Sequence, residues 1–185
     1  MTGEEKAKNS ISELKTKGIL VDKGVNVCEK QSIDELSSRG YGVADGKKLL
    51  LAFYEALYLL SKKMLDVKDK DGEEAGFQKL LQCNQRENEN AWARYLVYRD
   101  LRSRGYVVRE GFGSKVDFRV YDRGDYSKDT AKYLVVSVQE CRPISMRDLT
   151  KSLTASLSLK KELVLAVINR RGEIVYYSVS ELTLK

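Results

Sequence analysis

"RYLVYRDLRSRGYVVREGFGSKVDFRVYDRG", residues 94–124, decides how the rest of the chain is read. It opens as a helix. Apolar residues at 92, 95, 96, 98 and 101 recur at helical spacing, and Gly105 supplies a C-terminal stop. The period then changes. "YVVRE" and "VDFRVYD" read as strands, and "KYLVVSVQE" downstream reads as a third. Ser145 with Asp148 is a cap for a helix running to about residue 160. "ELVLAVIN" and "EIVYYSVSEL", joined by a turn at Arg170-Arg171-Gly172, add two more strands. The order α-β-β-β-α-β-β predicts an α/β (α+β) fold, a mixed sheet with helices on its faces.

Upstream, "GILVDKGVNVCE" reads as a hairpin turning at Asp22-Lys23-Gly24. Ser32 and Glu35 form a capping box for a short helix that Gly40 ends. Residues 47–63, "KLLLAFYEALYLLSKK" with its flanks, predict one strongly apolar helix. "MLDVKDKDGE" predicts a strand with a turn at Asp71-Gly72, and "FQKLLQC" a helix over 77–83. The polar stretch 84–90, "NQRENEN", is where a domain boundary falls, giving a small mixed α/β domain over 1–88 and a second domain over 89–185.

Composition narrows the classes. A hydrophobic content of 42% over 185 residues suffices for a core and argues against wholesale disorder. No apolar run approaches the ~20 residues of a bilayer span, and the N-terminal "MTGEEKAKNS" lacks the apolar run of a signal peptide. Three isolated cysteines and no histidine disfavour a zinc site and fit free thiols in a reducing cytosol. Charge is unevenly placed. Residues 1–90 carry 15 Lys and Arg against 16 Asp and Glu, whereas residues 91–185 carry 18 against 11 and hold eleven of the thirteen arginines. Arginine matches phosphate bidentately and stacks on bases, so the second half suits a polyanion. A basic surface kept for solubility explains the same asymmetry.

Two chemistries can be written on these residues. Asp117 with Glu140-Cys141-Arg142 has the outline of a D…ExK nuclease, in which carboxylates hold Mg²⁺, but Arg142 stands at the lysine. A strand acid in a local ion pair is the plain alternative. Metal-free cleavage of RNA by its own 2′-OH instead needs a base, an acid and a cation. Tyr121 could be the base and Lys160 or Lys161 the cation, with no evident acid. Equally, Tyr121 suits a half-buried strand aromatic and the lysines the basic end of a helix.

The block at 94–124 resembles the archaeal tRNA-splicing endonuclease family, with its run "YLVYxDLRxRGYVVxxGxxxGxDFRxYxRG". "KYLVVSVQE", "KKELVLAVINRRGEIVYY", "SIDELSSRGYG" and "LLLAFYEALYLLSKKMLDV" extend the resemblance across residues 18–182. It implies a restriction-nuclease-like C-terminal domain and metal-independent excision of introns from precursor tRNA at bulge-helix-bulge sites, with no cofactor and no membrane. The ends left would be a 2′,3′-cyclic phosphate and a 5′-OH.

The family's catalytic tyrosine falls on Tyr121 and its lysine on Lys161, while its histidine, in "HSxYLV" or "HAPYLV", falls on Thr130 of "TAKYLV". In "RVxHSxRKK" the arginine that clamps a bulge base falls on Thr154 and a second histidine on Leu157. Arg119, Arg123 and Lys160 are the expected RNA contacts. With the acid gone and the scaffold kept, the chain resembles the structural subunit of a heterotetramer, a cytoplasmic partner to a catalytic chain. The alternatives are an active enzyme taking its acid elsewhere, such as Asp129, or a Mg²⁺-dependent nuclease using Asp117. In the family the last strand, here "EIVYYSVSEL", pairs subunits, and an acidic loop, here "QECRPISMRD" with Glu140 and Asp148, docks into the opposite dimer.

Overall fold

The computed structural model describes residues 15–112, 116–122 and 130–182. In chain order the elements are β1 (Thr16–Val21), β2 (Gly24–Val27), α1 (Lys30–Ser38), β3 (Val43–Asp45), β4 (Lys48–Leu51), α2 (Phe53–Ser61), β5 (Leu65–Lys68) and α3 (Phe77–Glu87). There follow α4 (Ala91–Ser103), β6 (Val107–Glu110), β7 (Phe118–Tyr121), β8 (Tyr133–Gln139), α5 (Met146–Ser158), β9 (Glu162–Ile168) and β10 (Ile174–Val179). They make two mixed five-stranded sheets, ordered β3-β4-β2-β1-β5 and β10-β9-β8-β7-β6. The β1–β2 hairpin, the turn at Gly72 and the α-β-β-β-α-β-β order all appear as the sequence predicts.

Five expectations change. Residues 47–63 are not one helix: Leu49 and Leu51 alternate into the core as β4, paired with β2, and α2 begins only at Phe53. The three leucines therefore follow a period of two. The Ser32–Glu35 capping box does not form. Helix α1 starts three residues earlier, with Glu29 at the N-cap position, and the Ser32 hydroxyl, inside it, donates to Glu29. Helix α3 runs to Glu87, so only Asn88–Asn90 separate it from α4. Trp92 leaves the apolar face of α4 and is 42% exposed, while Ala91, Ala93 and Val97 are buried instead. Ser145 does precede α5, but no side-chain bond caps that helix.

One apolar cluster runs through both halves. At its centre Tyr54 of α2 lies 4.8 Å from Tyr98 of α4 and 5.2 Å, edge-on, from Phe118 of β7, all three buried. Arg94 lies over Tyr54 and Phe118, at 5.3 and 5.4 Å, and ion-pairs with Asp117 at 3.2 Å, off the hydrogen-bond direction of its Nε.

A second joint uses the C-terminus of α1, closed by Gly40 at φ 74°, with Gly40 and Tyr41 N–H donating back to Ser37 and Leu36. Arg102 donates to the Arg39 carbonyl and Arg109 to the Gly40 carbonyl, placing two cations of the second half on a helix C-terminus of the first. Beside them Glu55 is buried, accepting the Ala52 and Gly42 N–H groups, with Arg109 at 4.0 Å.

Burial pushes the Glu55 carboxyl up from its ordinary 4.5, against the pull of those N–H groups and Arg109. Above that ordinary value the native chain therefore holds a proton that the unfolded chain has released, and stability falls as pH rises through the window up to the folded value. Glu55→Gln removes this dependence. In urea unfolding at stepped pH, wild type minus Glu55→Gln stability should decline as pH climbs from about 4.5. A difference independent of pH would contradict the burial argument.

Candidate active site

The topology brings three strand ends to one place. β7 and β8 are antiparallel, so the C-terminal end of β7 meets the start of β8. β8 and β9 are parallel, pairing Tyr133 with Glu162, so the start of β9 arrives at the same edge. Two backbone bonds tie it: Lys132 N–H donates to the Val120 carbonyl, and Glu162 N–H to the Lys132 carbonyl. The result is a cleft of about 230 Å³ lined by Tyr121, Asp122, Thr130, Ala131, Lys132, Lys160, Lys161 and Glu162. Tyr121, Thr130 and Lys161, far apart in the chain, thus share one cavity.

The lysines come from the end of α5. Lys160 takes the left-handed position at φ 54°, and the Lys160 and Lys161 N–H groups close the helix onto Leu157 and Ser156. That motif normally takes glycine, and a side chain there carries strain. It turns the chain into β9 and leaves two cationic residues just past a helix C-terminus. Lys132 ion-pairs with Asp122 at 3.3 Å. The Tyr133 hydroxyl first, and Asp122 next, hold the Lys132 ammonium above the usual lysine range. Lys132, Asp122 and Glu162 were not singled out from the sequence. The signal was there in part, because Lys132 stands two residues after Thr130 inside "TAKYLV".

Other expected residues lie elsewhere. Arg119 shares a sheet face with Tyr121 but does not line the cleft. Its Nε donates to the Glu110 carbonyl, and its guanidinium lies 5.5 Å from the Phe112 ring. Arg123 and Asp129 fall outside the described residues. Thr154 and Leu157 are exposed on α5. Asp117 accepts the Ser137 N–H at 2.7 Å besides facing Arg94, so its carboxylate is engaged within the fold. Glu140 lies in the turn beyond β8, four residues past the point opposite Asp117. Its neighbour Arg142 reaches back to Glu89 and Asn90 at 3.3 and 3.2 Å. The described cysteines Cys28, Cys83 and Cys141 are unpaired, and no described helix is long and apolar enough to cross a membrane.

Two family models cover most of the chain: the tRNA intron endonuclease N-terminal domain matches residues 16–81, and its catalytic C-terminal domain matches residues 91–176. The chain belongs to the tRNA intron endonuclease family. Its relatives agree. The tRNA-splicing endonuclease of Methanococcus maripaludis is 34% identical over 165 residues, 89% of this chain and 93% of that one. That of Pyrococcus furiosus is 36% identical over 151 residues, 81% and 86% of the two chains. That of Methanococcoides burtonii is 34% identical over 159 residues, 85% of this chain but 44% of its own longer one. Within this tRNA intron endonuclease chain, the cleft lies inside the segment that matches the catalytic domain.

The strain at Lys160 is measurable. Lys160→Gly should stabilise the chain by ~0.5–1 kcal/mol, raising the thermal midpoint by about 1–4 °C. A lowered midpoint would show that the Lys160 side chain makes contacts worth more than its backbone strain.

Proposed function

We propose that the chain is a structural, non-catalytic subunit of a tRNA-splicing endonuclease, assembled as a heterotetramer with a histidine-bearing catalytic subunit in the cytoplasm. The assembly excises introns from precursor tRNA at bulge-helix-bulge sites without a metal, leaving 2′,3′-cyclic phosphate and 5′-OH ends. The observation that carries the reading is the content of the cleft. It gathers Tyr121 and Lys161, the proposed base and phosphorane-stabilising cation, around Thr130, and the whole chain contains no histidine. A threonine hydroxyl is too weak an acid to protonate a leaving oxygen near neutral pH, so residue 130 supplies no donor. A missing general acid costs ~10²–10⁴-fold in rate.

Secondary features support the same reading. β10 is an edge strand with Val175 50% and Tyr177 54% exposed, suited to pairing with another chain. We assign residues 1–88 and 89–185 to two domains, supported by the break at Asn88–Asn90 and by the separate spans of the two family matches. Lys160, at the cleft, and Arg119 and Arg123 are the proposed RNA contacts. The segment from Gln139 to Asp148, from the end of β8 into the first turn of α5, is the proposed docking segment, with Arg142 braced on its own chain.

The purified chain, incubated with a bulge-helix-bulge RNA in EDTA, should yield no product. Adding a family member that bears the histidine should produce cleavage with cyclic-phosphate ends. Metal-independent cutting by the chain alone would overturn the structural assignment, and a Mg²⁺-dependent cut abolished by Asp117→Ala would restore the D…ExK chemistry.

A further inference from the structure

The β6–β7 hairpin presents an aromatic ring to solvent with an arginine already laid against it. Phe112, just beyond β6, is 41% exposed. The Arg119 guanidinium lies 5.5 Å from its ring centroid. This arginine is not a free tether, because its Nε donates to the Glu110 carbonyl at 2.9 Å, fixing the guanidinium over the ring.

The backbone beneath is equally constrained. A side chain at Gly111 would place its Cβ 2.0 Å from the Val116 carbonyl oxygen, and the Gly111 N–H donates to Asp117 at 2.8 Å. Only glycine permits that crossing, and the crossing sets where Phe112 leaves the hairpin. In β7, Phe118 and Val120 point into the core and Arg119 and Tyr121 take the opposite face. The ring and its arginine are therefore on the cleft's side of the sheet, with Arg119 about 7 Å along the strand from Tyr121.

We infer that Phe112 and Arg119 form a stacking platform for an unpaired nucleobase of the RNA, adjoining the cleft. The inference rests on the proposed role in tRNA splicing and assigns this chain its own contact with the bulge. A π-face beside a fixed cation takes any base, and guanidinium planes stack on bases as aromatic rings do. The basic excess of residues 91–185 brings the polyanion to this half of the molecule.

The test uses the full-length chain and two RNAs carrying 2′-deoxy substitutions at the cut positions, so that nothing is cleaved. One is a bulge-helix-bulge and the other the same helix fully paired. Wild type should prefer the bulged RNA. Phe112→Leu keeps an apolar side chain but removes the π-face. It should weaken bulged-RNA binding by ~5–100-fold, leave duplex binding and the salt slope unchanged, and so erase the preference. Phe112→Trp should retain the preference, which separates stacking from packing. Equal binding of both RNAs by wild type would overturn the platform, as would a preference that survives Phe112→Leu or is lost in a folded Phe112→Trp. No cutting is measured, so cleavage by the lone chain would sink the structural-subunit reading without deciding the platform.

Discussion

The parallel pairing of β8 with β9 is the constraint on which the site depends. Antiparallel neighbours can be joined by a tight turn, but a parallel pair needs a crossover, and α5 is that crossover. Because the chain must travel back the full length of the sheet before β9 starts, the end of α5 is delivered to the edge where β7 finishes and β8 begins. Tyr121, Thr130 and Lys161 meet for this reason. The Lys132 and Glu162 backbone bonds then hold the three strand ends in register. The left-handed turn at Lys160 completes the geometry at a local cost, a common pattern where backbone strain sits beside a site.

Behind that edge, the two halves are joined by groups that leave little play. The Tyr54–Tyr98–Phe118 cluster supplies apolar area and ring packing, and Arg94 covers it while meeting Asp117. Asp117 in turn receives the Ser137 N–H, which ties the start of β7 to β8. The acid that suggested a metal ligand is thus committed to the joint between α4 and the sheet. Arg102 and Arg109 grip the end of α1, and Tyr176 of β10 donates to Asp100 of α4 at 2.8 Å. Burial, and then that bond, raise the Tyr176 hydroxyl above its ordinary range and keep it a donor. Such a scaffold retains its shape whether or not the cleft turns over substrate.

Much of this was legible in the sequence where local signals agreed. The second sheet followed from alternation and turn glycines, and the family motif named Tyr121 and Lys161. The misreadings have physical causes. Leu49, Leu50 and Leu51 carry no period by themselves, and only the pairing of β4 with β2 shows that alternate leucines are buried. Ser32 and Glu35 have capping spacing, but Glu29 takes the N-cap position and engages Ser32. Trp92 fits the helical stripe, but α4 packs between α2 and α3 on one side and β6 and β8 on the other, and buries the small residues Ala91 and Ala93 instead. Lys132, Asp122 and Glu162 became visible as cleft residues only through strand register, a long-range property. The charge of Arg119 is visible in the sequence, but its stacking on Phe112 depends on how the hairpin crosses at Gly111.

The central claim is the proposal that Tyr121 and Lys161 stand in place as base and cation while residue 130 offers no proton donor. Single-turnover cleavage of a bulge-helix-bulge RNA in EDTA, by wild type and by Thr130→His, tests it most directly. The account predicts no product from wild type and measurable cleavage by Thr130→His, a gain on the order of 10²–10⁴-fold over the detection-limited wild-type rate. That gain should vanish when Tyr121 or Lys161 is also removed. Wild-type cleavage as fast as that of Thr130→His, or no gain from a folded Thr130→His that binds the RNA, would contradict it.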